Sequence, residues 1–139
     1  MDKAQSRETI EHYLKRNGIA DIHSIKKIIS GFDLSKPVYE QRIWQTDKLL
    51  QYVRNPSASF NEIKVGTWFS LKGATMDSLA IFGGGAGRNL VEFRVKYSIV
   101  GLEGIAKEFR TRWTLALGGK GGSTQIFIPK KLLFALEVL

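Results

Sequence analysis

The hydrophobic period of the chain changes near residue 37. Before that point apolar residues recur at helical spacing: Ile10, Tyr13 and Leu14 lie at i, i+3 and i+4, with charged residues between them. Asn17-Gly18 stops this helix with a pair that tolerates the left-handed conformation. A second helix is predicted from Asp21, where Ile22, Ile25, Ile28 and Ile29 form an apolar face and Lys26 and Lys27 lie off it. Gly31 is its expected terminator. An apolar face of that kind has to be buried. Residues 1–36 are therefore expected to pack on the remainder of the chain and to add stability, while holding none of a functional site.

From Val38 the pattern is that of strands. Val38–Trp44 and Lys48–Arg54 read as a hairpin joined by Gln45-Thr46-Asp47. Asn55–Ser59 is polar and loop-like, and Thr67–Ser70 comes after Gly66 as a short strand. Thr75–Ile81 reads as one or two helical turns with Thr75 as N-cap. Asn89–Val100 is predicted as one long strand, Leu102–Phe109 as helix, Arg112–Leu117 as strand and Leu133–Leu139 as a closing strand. The expected fold is α+β, two N-terminal helices and then a mostly antiparallel, strongly bent β body. It forms one unit over 1–139, with 1–36 as the helical segment and 37–139 as the β body.

Two glycine clusters interrupt the β body. Gly118-Gly119-Lys120-Gly121-Gly122 leads through Ser123 to Thr124 and Gln125, at the mouth of an apolar strand, Ile126 to Ile128, that Pro129 ends. Such a loop either sets Gln125 against a ligand or lets it cap a strand end, and the residues leave both readings open. Gly83-Gly84-Gly85-Ala86-Gly87 precedes Arg88 and a strand. Neither cluster is a nucleotide fingerprint, because P-loops and dinucleotide loops open helices. Both can offer backbone N–H groups to phosphates, with Lys120 and Arg88 alongside.

Composition narrows the chemistry. A chain of 139 residues, 43% hydrophobic, supports one core. The absence of cysteine excludes disulfides, thiolate zinc sites and a cysteine nucleophile. No apolar run reaches the roughly 18 residues of a membrane span. His12 and His23 both fall on the predicted helices, as surface residues, so no histidine pair can serve the β body. The carboxylates of the β body show no metal-ligating spacing with histidine. The net charge is +8, of which residues 1–36 carry +2 and residues 37–139 carry +6. Such a surface suits nucleic acid, nucleotides or an acidic protein.

The order of several short motifs resembles a known family. Gly18-Ile19-Ala20-Asp21, Phe32 to Val38, Leu50-Gln51-Tyr52, Gly66-Thr67-Trp68-Phe69-Ser70, Ser78 to Ile81, Trp113 and Gly121 to Pro129 together resemble the C-terminal toxin domains of bacterial polymorphic toxins. These are the Rhs and contact-dependent-inhibition type, and among them the chain is similar to compact ADP-ribosyltransferase toxins, which implies a split, mostly antiparallel β body of that type with NAD in its cleft. The resemblance implies an excised domain of a larger secreted toxin, delivered into the cytoplasm of a target bacterium. It implies NAD as co-substrate, transfer of ADP-ribose to a protein or RNA of the translation machinery, and a cognate immunity protein. An inhibitor of a surface carrying +8 is best made acidic, and it is expected to occlude the cleft near Ser70 and Gln125.

The family's site maps onto this chain residue by residue. The aromatic-Ser element that supports the nicotinamide ribose resembles Trp68-Phe69-Ser70, and the late-strand Glu that bonds the ribose 2′-hydroxyl resembles Gln125 of Thr124-Gln125. The Arg or His of the first site strand falls on Leu50 to Arg54, where Gln51 or Arg54 can stand in. The implied catalytic set is Gln125, Ser70 and Arg54, with Gln51, Tyr52, Phe69, Arg88 and Thr124 around NAD. Glutamine at 125 departs from the family: an amide can orient the ribose but carries no charge toward an oxocarbenium-like transition state. Two other classes stay open. A ribonuclease would use basic residues such as Arg88, Arg94, Arg110 or Lys120, and a binding module would turn over neither NAD nor RNA.

Overall fold

The structure, a computed structural model, describes residues 2–53, 66–71, 89–107 and 122–139. Helix α1 spans Lys3–Arg16 and α2 spans Ile22–Ile29. Seven strands among the described residues come after them: β1 (Tyr39–Ile43), β2 (Lys48–Val53), β3 (Trp68–Ser70), β4 (Asn89–Val95), β5 (Ile99–Ile105), β6 (Thr124–Phe127) and β7 (Leu136–Val138). A 3-10 helix, Lys130–Ala135, precedes β7.

The helices form for local reasons. Asp2 caps α1 in a reciprocal box with Gln5, and Asp21 caps α2 by accepting from Ser24 N at 2.9 Å. The Ser24 backbone and hydroxyl bonds hold the Asp21 carboxyl below its usual range. Gly18, at φ 81, ends the first helix where a side chain would be strained. Ile10, Tyr13 and Leu14 are buried, as are Ile25 and Ile29, with Ile28 partly so. Ile22, placed on the same face by spacing, is instead 67% exposed at the first position of α2. His12 and His23 lie on the helix surface.

All seven strands form one antiparallel sheet in the order β1-β5-β6-β3-β2-β4-β7. The expected hairpin of β1 and β2 is therefore corrected. The turn between them is present, with Asp47 N donating to Trp44 O at 3.0 Å, but the two strands pair elsewhere, with β5 and β4. Four strand spacings separate them in the order, about 19 Å in a flat sheet at about 4.8 Å each. A four-residue turn does not reach that far, so the sheet must curve until these ends meet. Thr46 N accordingly donates to Val95 O and Val95 N to Asp47 O, each at 2.9 Å. Thr46 sits at φ 77, an unusual conformation for a β-branched residue, and this pairing holds it there.

Two further expectations are corrected. The run Asn89–Val100 breaks at Lys96-Tyr97-Ser98 into β4 and β5, and Leu102–Ile105, read as helix, is strand. Glycine decides the latter: a Cβ on Gly104 would lie 2.6 Å from Phe32, and one on Gly101 would lie 2.8 Å from Ile126. Both glycines let neighbouring elements close on β5. The predicted closing strand is half 3-10 helix, with only Leu136–Val138 extended. Thr75–Ile81, Arg112–Leu117 and the glycine clusters at 83–87 and 118–121 lie outside the described residues.

The curved sheet has two faces and two cores. On its inner side Ile43, Leu49, Phe69, Val91, Phe93, Val95, Ile99, Ile126 and Ile128 pack with Ala135 and Leu136. On the other side Leu102 and Phe127 pack with Phe32, Val38 and the buried residues of both helices. Tyr13 belongs to this second core, and its hydroxyl donates to Val100 O at 2.5 Å. Burial pushes its ionisation well above the usual tyrosine range.

Candidate active site

Strand register decides which predicted site residues meet. Leu50 is opposite Ser70, Ser70 opposite Gln125, and Gln125 opposite Gly104. Residues directly opposite one another share a face. The row therefore lies on the helix side of the sheet, with Trp68, Phe127 and Leu102 two positions along. Ser70 is 2% exposed and Gln125 6%. The pair expected from the sequence is thus brought side by side, on neighbouring strands, with half-buried Tyr52 two residues beyond Leu50.

The alternate positions face the other way. Phe69, expected beside the cofactor, is a core residue of the inner face, packed edge-on against Phe93 at 5.5 Å between centroids. Gln51, next to Leu50, and Thr124, next to Gln125, also alternate to that inner side. Gln51 is fully engaged there. Its Nε2 donates to Gly66 O at 3.0 Å and Trp68 O at 2.9 Å, and its Oε1 accepts from Gly66 N at 2.9 Å. The reason is local: among the described residues Leu50 to Ser70 is the one register pair between β2 and β3, so the amide of Gln51 replaces the missing ladder where the two strands part. Gln51, Phe69 and Thr124 are therefore not on the face that carries Ser70 and Gln125. Arg54 and Arg88 lie outside the described residues.

Gln125 is held from an unexpected direction. Its Nε2 donates at 2.6 Å to the carbonyl of Gly31, at the end of the helical segment. A carbonyl only accepts, so the amide nitrogen must face Gly31 and the oxygen Oε1 must turn away from it. The Gly31 carbonyl also accepts from Lys107 N at 3.1 Å. Gly31 has to be glycine for packing, since a Cβ would lie 2.9 Å from the Trp68 ring. That ring is itself wedged edge-on between Phe32 and Phe127, at 5.1 and 5.2 Å. Residues 1–36, expected to hold none of the site, thus reach one of its candidate side chains, since Gly31 orients Gln125. In the sequence Gly31 signals only a helix end, and nothing local ties it to a residue 94 positions later.

Ser70 is held less firmly. Its Oγ donates to Leu50 O at 3.4 Å, a long bond. No group of three or more His, Cys, Asp or Glu among the described residues could hold a metal ion. An open groove elsewhere, lined by Gln5, Glu8, Thr9, His12, Arg16 and Glu40, has Arg16 paired with Glu40 and the His12 ring 3.7 Å from the Glu8 carboxylate. Arg94, a candidate for binding phosphate, is engaged by Glu137, its Nε donating at 2.7 Å.

No protein-family model matches the chain, and no curated protein sequence does. Its fold is that of two solved structures. One is the structure of Tse6 in complex with Tsi6, at a TM-score of 0.77 and 20% identity, covering 100% of this chain and 97% of the other. The second is Rhs1-CT in complex with its cognate immunity protein RhsI1, at a TM-score of 0.51 and 18% identity, covering 81% of this chain and 82% of that one.

Proposed function

We propose that the chain is the toxin domain of a bacterial polymorphic toxin that transfers ADP-ribose from NAD to a macromolecule of the translation machinery. The observation that carries the reading is the juxtaposition of Ser70 and Gln125 on β3 and β6, with the Gln125 amide fixed by Gly31. The likeness in fold to Rhs1-CT, solved with an immunity protein, supports the toxin role and a cognate inhibitor for this chain. That inhibitor is acidic and covers the face carrying Ser70 and Gln125.

In this reading Oε1 of Gln125 accepts from the 2′-hydroxyl of the nicotinamide ribose, and Ser70 supports the same ribose. Tyr52 lines the site from β2. The bond from ribose C1′ to the nicotinamide nitrogen breaks and its electron pair leaves with nicotinamide. The acceptor nucleophile then bonds to C1′ and loses its proton to solvent. Gln125 contributes orientation, since a neutral amide offers no charge to the oxocarbenium-like centre. A ribonuclease reading gains nothing from Arg94, whose guanidinium is paired with Glu137.

The test is incubation of the purified chain with NAD bearing a labelled adenylate and with bacterial lysate. Nicotinamide release with label on protein or RNA is the expected result. Shortened RNA without nicotinamide release would overturn the proposal in favour of a ribonuclease, and no turnover of either would leave a binding module.

A further inference from the structure

Three aromatic side chains among the described residues are more than 60% exposed: Trp44 at 61%, Tyr97 at 61% and Phe134 at 63%. They come from the β1–β2 turn, the β4–β5 turn and the 3-10 helix. All three segments meet at one end of the molecule. Thr46 N donates to Val95 O, Lys96 N donates to Ala135 O at 2.6 Å, and Arg42 Nη1 donates to Ser98 Oγ at 3.5 Å. The Tyr97 and Phe134 rings lie 6.3 Å apart.

Cations surround these rings. The Arg42 guanidinium lies over Trp44 at 5.7 Å and the Lys96 ammonium over Tyr97 at 5.9 Å. Lys130 and Lys131 are exposed on the 3-10 helix beside Phe134. None of these four cations is in an ion pair among the described residues. The lone acid of the three segments, Asp47, is exposed but engaged within its own turn, its Oδ2 accepting from Trp44 N at 2.9 Å. Exposed apolar patches mark protein or membrane contacts. Here the rings sit at the tips of turns, Tyr97 and Phe134 touch each other, and Trp44 has one face under Arg42. That leaves no ladder of open ring faces for stacking bases. Aromatic tips ringed by Lys and Arg match the interface of a bilayer, where Trp and Tyr settle at headgroup level and anionic lipids attract basic segments.

We propose that this end of the molecule docks on the surface of a bilayer rich in anionic lipid, with Trp44, Tyr97 and Phe134 entering the headgroup layer and Arg42, Lys96, Lys130 and Lys131 on the lipid phosphates. No described helix is long and apolar enough to span a membrane, so the contact is peripheral.

The experiment is co-sedimentation of the full chain with vesicles of phosphatidylglycerol and phosphatidylethanolamine, and with vesicles of phosphatidylcholine alone. Binding is expected to the anionic vesicles, to weaken as salt is raised, and to be at least tenfold lower on phosphatidylcholine. The triple variant W44A/Y97A/F134A should lose about tenfold or more in partitioning with its thermal unfolding unchanged, the side chains being exposed. K130E/K131E should lose binding at low salt. Three results would overturn the proposal: no sedimentation with anionic vesicles at low salt, undiminished binding by the triple variant, or binding to soluble polyglutamate but not to vesicles. The last would assign the patch to an acidic protein.

Discussion

Gln51 and Gln125 are both buried glutamines on strands of the same sheet, yet they are tied in different ways. Gln51 bonds through both ends of its amide to one nearby segment, Gly66 to Trp68, and closes a gap between strands. Gln125 is anchored by its nitrogen to a carbonyl 94 residues earlier, on the helical layer, and stands opposite Ser70. An amide occupied at both ends is a structural bridge. One oriented by a distant clamp has its oxygen set in a fixed direction, which is what a group that orients a ligand needs. The difference separates a residue of the fold from a candidate residue of the site, although both read alike as polar residues in β runs.

Replacing Gln125 should break that contrast most strongly. Gln125→Ala removes the oriented oxygen, and loss of one preorganised contact of this kind is typically worth about 10² to 10³ in rate. Nicotinamide release by the folded variant should fall by that factor. Wild-type release, with the protein folded, would remove Gln125 from the site. Gln125→Glu does more than add a charge, because a carboxylate oxygen would replace the nitrogen that now donates to Gly31 O. Two acceptors facing each other favour the protonated acid, which raises the folded-state pKa of the new carboxyl. Stability relative to wild type is then best below the ordinary glutamate pKa and is lost as pH rises through the raised value. Thermal unfolding of Gln125→Glu from acid to neutral pH checks the sign. A variant as stable as wild type at neutral pH would show that the Gly31 clamp is dispensable.

The counterpart is Gln51→Leu. It leaves Gly66 N, Gly66 O and Trp68 O without their side-chain partner, and one unsatisfied buried group costs about 1–3 kcal/mol. Denaturant unfolding should register a loss of that size, while turnover per folded molecule stays near wild type. A drop in turnover with unchanged stability would move Gln51 into the site. Gly31→Ala probes the clamp from its other side. The added Cβ would press on the Trp68 ring, and overpacking of this kind costs about 1–3 kcal/mol. Because Gly31 also holds Gln125, this variant should lose both stability and turnover, unlike Gln51→Leu.

The sequence made much of this layout legible. Helical spacing and the stops at Asn17-Gly18 and Gly31 delimit α1 and α2, and the runs around Tyr39–Ile43, Lys48–Val53 and Trp68–Ser70 are strands within a residue or two. The resemblance to a family puts Ser70 and Gln125 in one site, but their direct pairing across β3 and β6 is seen only in the structure, since no periodicity says which strands pair. Three things were not readable. Lys96-Tyr97-Ser98 turns the chain without a glycine or proline, so the break between β4 and β5 was hidden. Leu102, Ile105 and Ala106 keep helical spacing, and only contact with Phe32 and Ile126 explains why Gly101 and Gly104 lie in a strand. The hairpin signal at Gln45-Thr46-Asp47 was correct for the turn and wrong for the pairing, because partners are set by the curvature of the whole sheet.

The smallest expected effect falls on Ser70 and sharpens the comparison. Its Oγ donates to Leu50 O at 3.4 Å, too long to contribute much. Alanine fills nearly the same space, so Ser70→Ala should change stability by less than about 1 kcal/mol. If Ser70 supports the nicotinamide ribose, the variant loses one neutral hydrogen bond to substrate. A bond worth about 1.4 kcal/mol corresponds to a tenfold change in kcat/KM. The expected signature is therefore near-normal unfolding with about tenfold lower kcat/KM for NAD, the reverse of Gln51→Leu. Unchanged kinetics with a stability loss as large as that of Gln51→Leu would place Ser70 with the structural bridges, and would leave Gln125 without the neighbour on which the proposed ribose contact depends.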